Sequence, residues 1–581
     1  MGQEEEVGLQ LMETLNRRFT RRQMLQASAA LGVLTLAACS PGTGTPSPST
    51  GGASSAPSTE PSTGPVVNPG KLTLLVPDLG SGRFDVALVG FAASEQQYGK
   101  LVHGALVSTT GSLDKKPGIL TDWVLSDDGL EWTFTFREGL TFHDGNVISM
   151  DDILWSFEHS FGPDAKEYVI AEEFARISEL VESIEPDGEN ILKVKTTEPV
   201  PGLLSQLFEG ESTWFGLMPA RQSLNDENEA AAYDQNPIGT GAVKLKEYQS
   251  GTKMVLERFE DFYYQPKNGF DEDHRLGFQT LELVVVPESS TRVAAIVAGE
   301  ADIAAVNLSD KEQVESGGGR LVFGKEGSYL NAYVYGIQFP KHPWHDKRVR
   351  DALNHAINKE EMRDNLLGGA DAFSIKGFMA FTPSTIGYSE GLDPLPFDPD
   401  KARSLLSDAG FAGGAGFPTV QMIIQDDGSG PGLVDAGQLA AAGWRTELGL
   451  TVEVSIGDAT VIKEQRNAGE LSDKGVVLWR TNSPRHDPTL KILEWLNSEK
   501  PYILIDNPDL LAQAKSDTGL FNDEARAAAY KELLKTIYNE VSGVSIGFYN
   551  PVWAVGPRVT AWDPYPLVEI ASALHTIKLE G

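Results

Sequence analysis

Short runs of apolar residues predict β-strands at several places along the chain. Lys71–Val76 is a mostly apolar run that Pro77 ends. Within 132–136, three aromatic residues alternate with threonines, which is the two-residue period of a strand with one buried face. The runs 183–185 and 191–194 flank a polar stretch rich in turn-forming residues, and together they predict a β-hairpin.

Polar caps followed by apolar residues at helical spacing predict helices. Ser149 is a favoured N-cap residue, and Asp151 and Asp152 follow it in the first turn, where the helix dipole favours negative charge. Further helices are predicted at 98–106, 346–357, 398–409 and 523–539.

A strand–helix–strand unit is predicted within 281–303. Residues 281–286 read as a buried strand, 291–298 as a helix that Gly299 closes, and 301–303 as the next strand. Because strands and helices intermix along the whole chain, the predicted fold class is α/β or α+β, with several mixed sheets.

Composition narrows the class of protein. The chain has 581 residues, of which 41% are hydrophobic, and this is enough for folded cores. Its net charge of −34 repels nucleic acid and anionic lipid headgroups, so no nucleic-acid partner is expected. A single cysteine, Cys39, excludes an intrachain disulfide and a cysteine-based metal site.

The N-terminus has the features of an export signal. A basic cluster that includes Arg21 and Arg22 precedes an apolar run at 24–38, which is shorter than the roughly 20 residues that span a bilayer. The segment 36–39 resembles a bacterial lipobox, which implies that residues 1–39 are a signal peptide and that Cys39 is lipidated. The paired arginines resemble the twin-arginine signal, although a general secretory route stays open. Residues 40–70 are almost all Gly, Ser, Thr and Pro, and predict a flexible tether.

Motifs typical of enzymes are weak. The pattern around Ser545 spells the nucleophile elbow of serine hydrolases, but that motif needs a helix after the serine, and Pro551 disfavours one. His342 and His345 flank Pro343 and are expected to be loop residues rather than metal ligands. We therefore predict a binding protein, with no enzyme activity, cofactor or metal, and keep a serine hydrolase as an alternative.

Ordered segments across 98–487 resemble the extracellular solute-binding proteins of the peptide/nickel family, which include dipeptide- and oligopeptide-binding proteins. The most specific match runs from Trp132 to Gly145 and continues at Asp151 and Asp152. The other matching segments are 98–106, 117–120, 123–130, 236–241, 291–303, 348–357 and 399–410.

The resemblance implies an architecture and a function. It implies a two-lobed periplasmic-binding-protein type II fold, with a hinge between the lobes and an additional small domain. The predicted bounds are 71–108, 219–330 and 546–581 for lobe 1, 109–218 for the additional domain, and 331–545 for lobe 2. It also implies a monomeric, membrane-anchored extracytoplasmic lipoprotein that binds a peptide or small solute and delivers it to ABC permease subunits. A surface receptor that signals without transport is the alternative.

The resemblance also points to ligand-binding residues. Gln97 and Tyr98 match positions where the first lobe contacts ligand, and Tyr335 and Gln338 match positions where the chain crosses to the second lobe.

In peptide-binding members, an aspartate shortly after a strand tryptophan pairs with the free amine of the peptide. Here the tryptophan is Trp479, and Asn482 occupies the aspartate position, with Arg480 beside it and Asp487 further on. A neutral amide cannot form that ion pair, so an anionic or non-peptide ligand stays open beside an oligopeptide.

Overall fold

The computed structural model describes residues 70–580, which belong to one compact unit, Pro65–Gly581. The predicted signal peptide with Cys39, and the tether up to residue 69, lie outside the described residues. Gaps in the description fall at 81, 89–92, 110–112, 170–171, 201, 210–214, 221–226, 426–431, 497–499, 518–522, 541–542 and 567–572.

Strands and helices alternate along the described residues. The strands are β1 (Lys71–Val76), β2 (Val107–Thr109), β3 (Lys115–Pro117), β4 (Leu120–Leu125), β5 (Glu131–Phe136), β6 (Val181–Pro186), β7 (Ile191–Thr196), β8 (Val243–Gln249), β9 (Lys253–Arg258), β10 (Thr280–Val285), β11 (Ile303–Ala305), β12 (Arg320–Phe323), β13 (Tyr329–Val334), β14 (Phe373–Ser374), β15 (Val420–Gln425), β16 (Val452–Gly457), β17 (Val477–Asn482), β18 (Gly543–Tyr549), β19 (Val552–Val555), β20 (Val559–Ala561) and β21 (Lys578–Leu579). The helices are α1 (Ala93–His103), α2 (Met150–Phe161), α3 (Glu172–Leu180), α4 (Leu203–Gln206), α5 (Glu227–Gln235), α6 (Ser289–Ala298), α7 (Lys311–Ser316), α8 (Lys347–His355), α9 (Lys359–Asn365), α10 (Pro399–Asp408), α11 (Leu433–Leu448), α12 (Ala459–Asn467), α13 (Glu470–Lys474), α14 (Thr489–Leu496), α15 (Pro508–Asp517) and α16 (Asp523–Glu540).

The first sheet has seven strands in the order β12-β19-β11-β1-β10-β9-β8. Its central strand β1 pairs in parallel with both β10 and β11, and α6 connects those two strands. The predicted strand–helix–strand unit is therefore confirmed. Gly299 ends α6 with a left-handed φ of 72°, which glycine adopts without steric cost.

The second sheet has six strands in the order β14-β18-β13-β17-β15-β16. Every residue of β13 is buried, because hydrophobic clusters cover both faces of the sheet. Leu330 and Ala332 pack into the cluster that includes helix α11, whereas Tyr333 packs on the opposite face with α14 and α16.

The third sheet is antiparallel, with the order β4-β5-β7-β6. The predicted hairpin is confirmed as β6 and β7, and β5 shows the predicted alternation, with its aromatic residues buried. Ser149 caps α2 as predicted, and Asp152 completes a reciprocal capping box with it. The predicted helix at 98–106 is α1, which ends earlier because Gly104 has a φ of 70°.

Two segments, 324–328 and 550–551, connect the first sheet to the second within the described part of the chain. They lie side by side and are hydrogen-bonded through the backbone. Gly324 N donates to Pro551 O at 2.8 Å, and Gly327 N donates to Tyr549 O at 2.8 Å. The division into lobes stays a prediction, but its boundary at 545/546 divides β18, all of which lies in the second sheet.

The turn at 236–241 joins the end of α1 to the loop between β5 and α2. Thr240 donates its hydroxyl to His103 O at 2.5 Å, and His143 N donates to Gly239 O at 3.0 Å. A Cβ atom on Gly241 would lie 2.2 Å from Leu101 O, so only glycine fits there. In the part of the chain that the structure covers, every helix is too short or too polar to cross a membrane.

We expect Gly241→Ala to lower the free energy of unfolding by about 3 kcal/mol, because the methyl group would overlap backbone atoms of α1. Gly277→Ala is the matched control, since the nearest atom to its Cβ would be Ile577 O at 3.2 Å. Urea unfolding followed by tryptophan fluorescence measures both. Equal losses from the two variants would contradict this account of the junction.

Candidate functional site

The end of β17 carries the residues that the sequence singled out. Trp479 is fully buried, and its indole Nε1 donates to Leu433 O at 3.1 Å. It therefore belongs to the core beneath α11 in this conformation. Arg480 and Asn482 lie on the opposite face of the strand and are half-buried. Asn482 donates a hydrogen bond to the Tyr333 hydroxyl.

Asn331 adds an unusual polar group to that face. It pairs in register with Arg480, and its side chain is fully buried. Neither its amide nitrogen nor its amide oxygen has a hydrogen-bond partner among the described residues. A buried, unsatisfied amide costs about 1–3 kcal/mol, so this face of the second sheet has unused hydrogen-bonding capacity.

Asp487 lies at the centre of a buried ionic cluster rather than in an open cleft. Its Oδ2 atom accepts from Arg526 Nη2 at 2.5 Å and from Ser205 Oγ at 2.7 Å, and its Oδ1 atom accepts from Thr489 N at 3.0 Å. Burial alone would raise the pKa of Asp487, but the Arg526 charge and these hydrogen bonds together hold it well below the usual range.

A second buried ion pair lies beside the first. Arg485, on the segment after β17, donates to Glu173 Oε1 of α3 at 2.8 Å. Burial opposes ionisation of Glu173, yet the charges of Arg485, Lys491 and Arg176 lower its pKa. Glu173 Oε2 is buried and has no hydrogen-bond partner among the described residues. The Arg485–Glu173 ion pair and the Ser205–Asp487 hydrogen bond thus connect the segment after β17 to α3 and α4, whereas Arg526 lies on α16, which packs on the second sheet.

A third carboxylate extends the cluster. Glu494 of α14 accepts from Lys491 Nζ at 2.7 Å and lies 3.6 Å from Arg176 Nη2 of α3. A cavity whose empty space of about 330 Å³ includes open solvent lies among these groups, and its wall includes Glu173, Arg176, Ser205, Arg485, Asp487 and Lys491. The wall offers cationic and anionic groups together, so it can hold a polar or zwitterionic group between the two sheets.

The other predicted contacts lie elsewhere. Tyr98 is buried in α1, and its hydroxyl donates to Asp78 O at 3.4 Å. Gln97 also lies in α1, but its side chain is outside the described part of the chain. The structure does not bring Tyr98 together with Trp479 or Asp487 in the 330 Å³ cavity.

The expectation that Tyr335 and Gln338 contact ligand where the chain crosses between lobes stays a prediction. The chain enters the second sheet at 324–328, whereas both residues follow β13 at its other end. Tyr335 is buried, which raises its pKa to about 12. Gln338 is half-buried, and its Oε1 atom has no hydrogen-bond partner among the described residues.

The alternative motifs take structural roles. Ser545 lies inside β18 and accepts from Met379 N at 3.1 Å, so it is not on a strand-to-helix turn. His342 and His345 contact different backbone carbonyls, those of Asp473 and Ile337.

Sequence reasoning missed Glu173, Arg176, Ser205, Glu494 and Arg526. They reach the cluster from elements up to 312 residues away from their partners, as for Glu173 and Arg485. No local pattern marks such pairs.

Comparisons with known proteins identify the architecture. Residues 115–495 match the family described as bacterial extracellular solute-binding proteins, family 5 Middle. Heme-binding protein A of Haemophilus influenzae is 24% identical over 493 residues, covering 82% of this chain and 86% of that protein. The dipeptide-binding protein of Escherichia coli is 26% identical over 353 residues, covering 58% of this chain and 61% of its own length. The chain thus spans about three fifths of that relative.

A solved structure supports the same fold. The ABC transporter substrate-binding protein CtaP of Listeria monocytogenes superposes with a TM-score of 0.70 at 19% identity, covering 88% of this chain and 99% of that one. The predicted fold class, a two-lobed type II binding-protein fold with mixed sheets, is confirmed. Because proteins of this kind are not enzymes, the prediction that the chain is not an enzyme is confirmed as well.

We expect Asp487→Asn to lower the free energy of unfolding at neutral pH by about 3–5 kcal/mol, because Arg526 would remain buried without its anion. The pKa of Asp487 is lowered by folding, so its ionised form stabilises the fold above its unfolded pKa of about 3.9. This stabilisation is lost as the pH falls below that value. The difference between the wild type and the variant should therefore be constant above about pH 5 and shrink in acid.

Urea unfolding at a series of pH values measures that difference. Asp473→Asn is the matched control, because Asp473 is an exposed carboxylate that pairs with Lys341. It should change stability little. If the difference in free energy of unfolding between the wild type and Asp487→Asn stayed the same in acid, Asp487 would not be a stabilising buried carboxylate.

Proposed function

Because the chain belongs to the bacterial extracellular solute-binding proteins of family 5, we propose that it is the substrate-binding lipoprotein of an ABC importer. It captures an oligopeptide or a related small solute between its two lobes and delivers it to the permease. Members of the family work outside the cytoplasm. The leader with Cys39 supports anchoring of this chain to the outer face of the cell membrane.

The single observation that carries the proposal is the pair of side-by-side segments, 324–328 and 550–551, that link the first and second sheets. Such a double connection permits a hinge motion, since a few residues can absorb the change in backbone angles. The polar cavity of about 330 Å³ lies where the second sheet meets the helices of the third. Closure over a ligand would give the permease a shape that reports occupancy.

The ligand is proposed from the polarity of the residues at and after the end of β17. Asp487 is paired with Arg526 and bonded to Ser205, so its charge is already compensated. Asn482 is neutral, and Arg480 beside it is a cation. A peptide therefore gains no carboxylate at Asn482 for its free amine, and recognition through the peptide backbone or through an anionic group is favoured.

Binding is tested with residues 65–581, which form one compact unit. We expect short peptides to raise the thermal unfolding temperature and to be recovered unchanged, because the protein binds without turnover. Mass spectrometry of material that co-purifies with the protein identifies the ligand. If no peptide raised the unfolding temperature, the proposal that the ligand is a peptide would be contradicted, whereas the proposal that the protein serves an importer would stand.

We expect Asn482→Asp to strengthen binding of peptides with a free N-terminus about tenfold or more, because it restores a charged hydrogen-bond partner for the amine. N-acetylated peptides lack that charge and should not gain. Ser483→Asp is the matched control, since it adds the same charge at an exposed neighbouring position. Calorimetric titration measures all three proteins. An equal gain for acetylated peptides, or for the control variant, would contradict a role for position 482 at the amine.

We expect Cys39→Ser to abolish incorporation of radiolabelled fatty acid and to release the protein from the membrane fraction, because the thioether that carries the lipid cannot form. Fractionation with immunoblotting measures the release. Retention of label in the variant would place the anchor elsewhere.

A further inference from the structure

A second cavity lies apart from the proposed inter-sheet site. It is open to solvent, its empty space of about 780 Å³ includes part of that solvent, and it lies between the C-terminal end of α1, the loop after β9, and residues 565 and 573–575. Its lining shares no residue with the cavity around Asp487. None of its lining residues comes from the second sheet or its helices.

A column of stacked rings forms one wall of this cavity. Tyr264 stacks on His274 with ring centroids 3.9 Å apart, and His274 stacks on His575 at the same distance. The two imidazoles are nearly parallel, with an interplanar angle of 12°. Tyr565 meets His575 edge-on, and their polar atoms lie 3.3 Å apart. Tyr264 also stacks on Phe270, with ring centroids 4.1 Å apart, so the wall presents ring edges, some of them polar, rather than a free ring face.

The electrostatics of the wall favour a neutral ring against it. Burial, followed by the neighbouring His274, lowers the pKa of His575 to about 3, so this imidazole is uncharged at neutral pH. The charged lining residues are Lys100 and Glu209, one of each sign. Glu209 accepts a hydrogen bond from Ser108 at 3.2 Å. The lining is otherwise rich in aromatic and aliphatic side chains.

An unfilled space among packed side chains is unusual in a folded protein. Folded interiors leave few voids larger than a water molecule, because unfilled space forfeits dispersion contacts. An open cavity lined by rings and a few polar groups is the usual form of a small-molecule site.

We propose that the cavity walled by Tyr264, His274, His575 and Tyr565 is a second ligand site, which takes a small aromatic molecule carrying a hydrogen-bond donor. The aromatic group packs against the ring edges of the column and the apolar side chains beside it, and the donor meets the hydroxyl and carboxylate oxygens of the rim. This inference does not rest on the proposed transport function, because no residue of the inter-sheet cavity takes part.

The test uses the full chain with Cys39→Ser, which removes the lipid attachment point, and indole as the probe. We expect saturable binding of indole, seen as shifts of the histidine ring resonances in NMR spectra, and much weaker binding of cyclohexanol, which lacks an aromatic face. His575→Leu should weaken indole binding about three- to tenfold, because it removes the end of the ring column. Ala242→Phe, which fills the cavity from a wall position, should abolish it.

Two control variants locate the effect. His342→Leu removes another stacked histidine, which packs on Trp344 outside this cavity, and should leave indole binding unchanged. Asp473→Asn, which changes an exposed carboxylate outside both cavities, should also leave it unchanged. Absence of saturable binding, equal binding of cyclohexanol, or indole binding that survives both His575→Leu and Ala242→Phe would overturn the proposal. Peptide binding is scored separately, so failure of the transport proposal is distinguishable.

Discussion

The buried ionic cluster between the second sheet and the helices of the third fixes how these two parts of the protein pack together. Charges lose hydration when buried, and they are tolerated only where opposite charges and hydrogen bonds meet them with good geometry. Glu173 with Arg485, and Asp487 with Arg526 and Ser205, meet that condition. The segment after β17 must therefore hold one position against α3 and α4. Its polarity also suits repeated separation, because ion pairs regain hydration when the surfaces part.

The same cluster explains how the site departs from the family pattern described above. The carboxylate of Asp487 is already paired with Arg526, which lies on α16. It is therefore not a free acceptor for a ligand amine. Asn482 then leaves the neighbouring position neutral. Arg480 and the buried amide of Asn331 share a face of the second sheet, and neither side chain lines the cavity around Asp487.

Local features of the fold were predictable because their causes lie within a few residues. Ser149 caps its helix by reaching Asp152, and Gly299 closes α6 by its own backbone freedom. The hairpin of β6 and β7 follows from the turn between them. Trp479 shows the limit: its strand was predicted, but both faces of the second sheet are covered, so alternation does not tell which face meets a cleft.

Long-range features of the site were not predictable for a related reason. Glu173 and Arg485 are separated by 312 residues, and nothing in either neighbourhood identifies the partner. The ring column has the same property, since His274 and His575 come from distant parts of the chain and carry no motif.

The two cavities differ in whether a rotation between the two large sheets would change their shape. The inter-sheet cavity is bounded by elements on both sides of the connecting segments 324–328 and 550–551, so any rotation about those segments changes its shape. A ligand there can shift the balance between open and closed forms, because it contacts the two sides together only when they meet. The ring-lined cavity has all its residues on one side of the connection. A ligand in it makes the same contacts in either form and cannot, by those contacts alone, shift that balance.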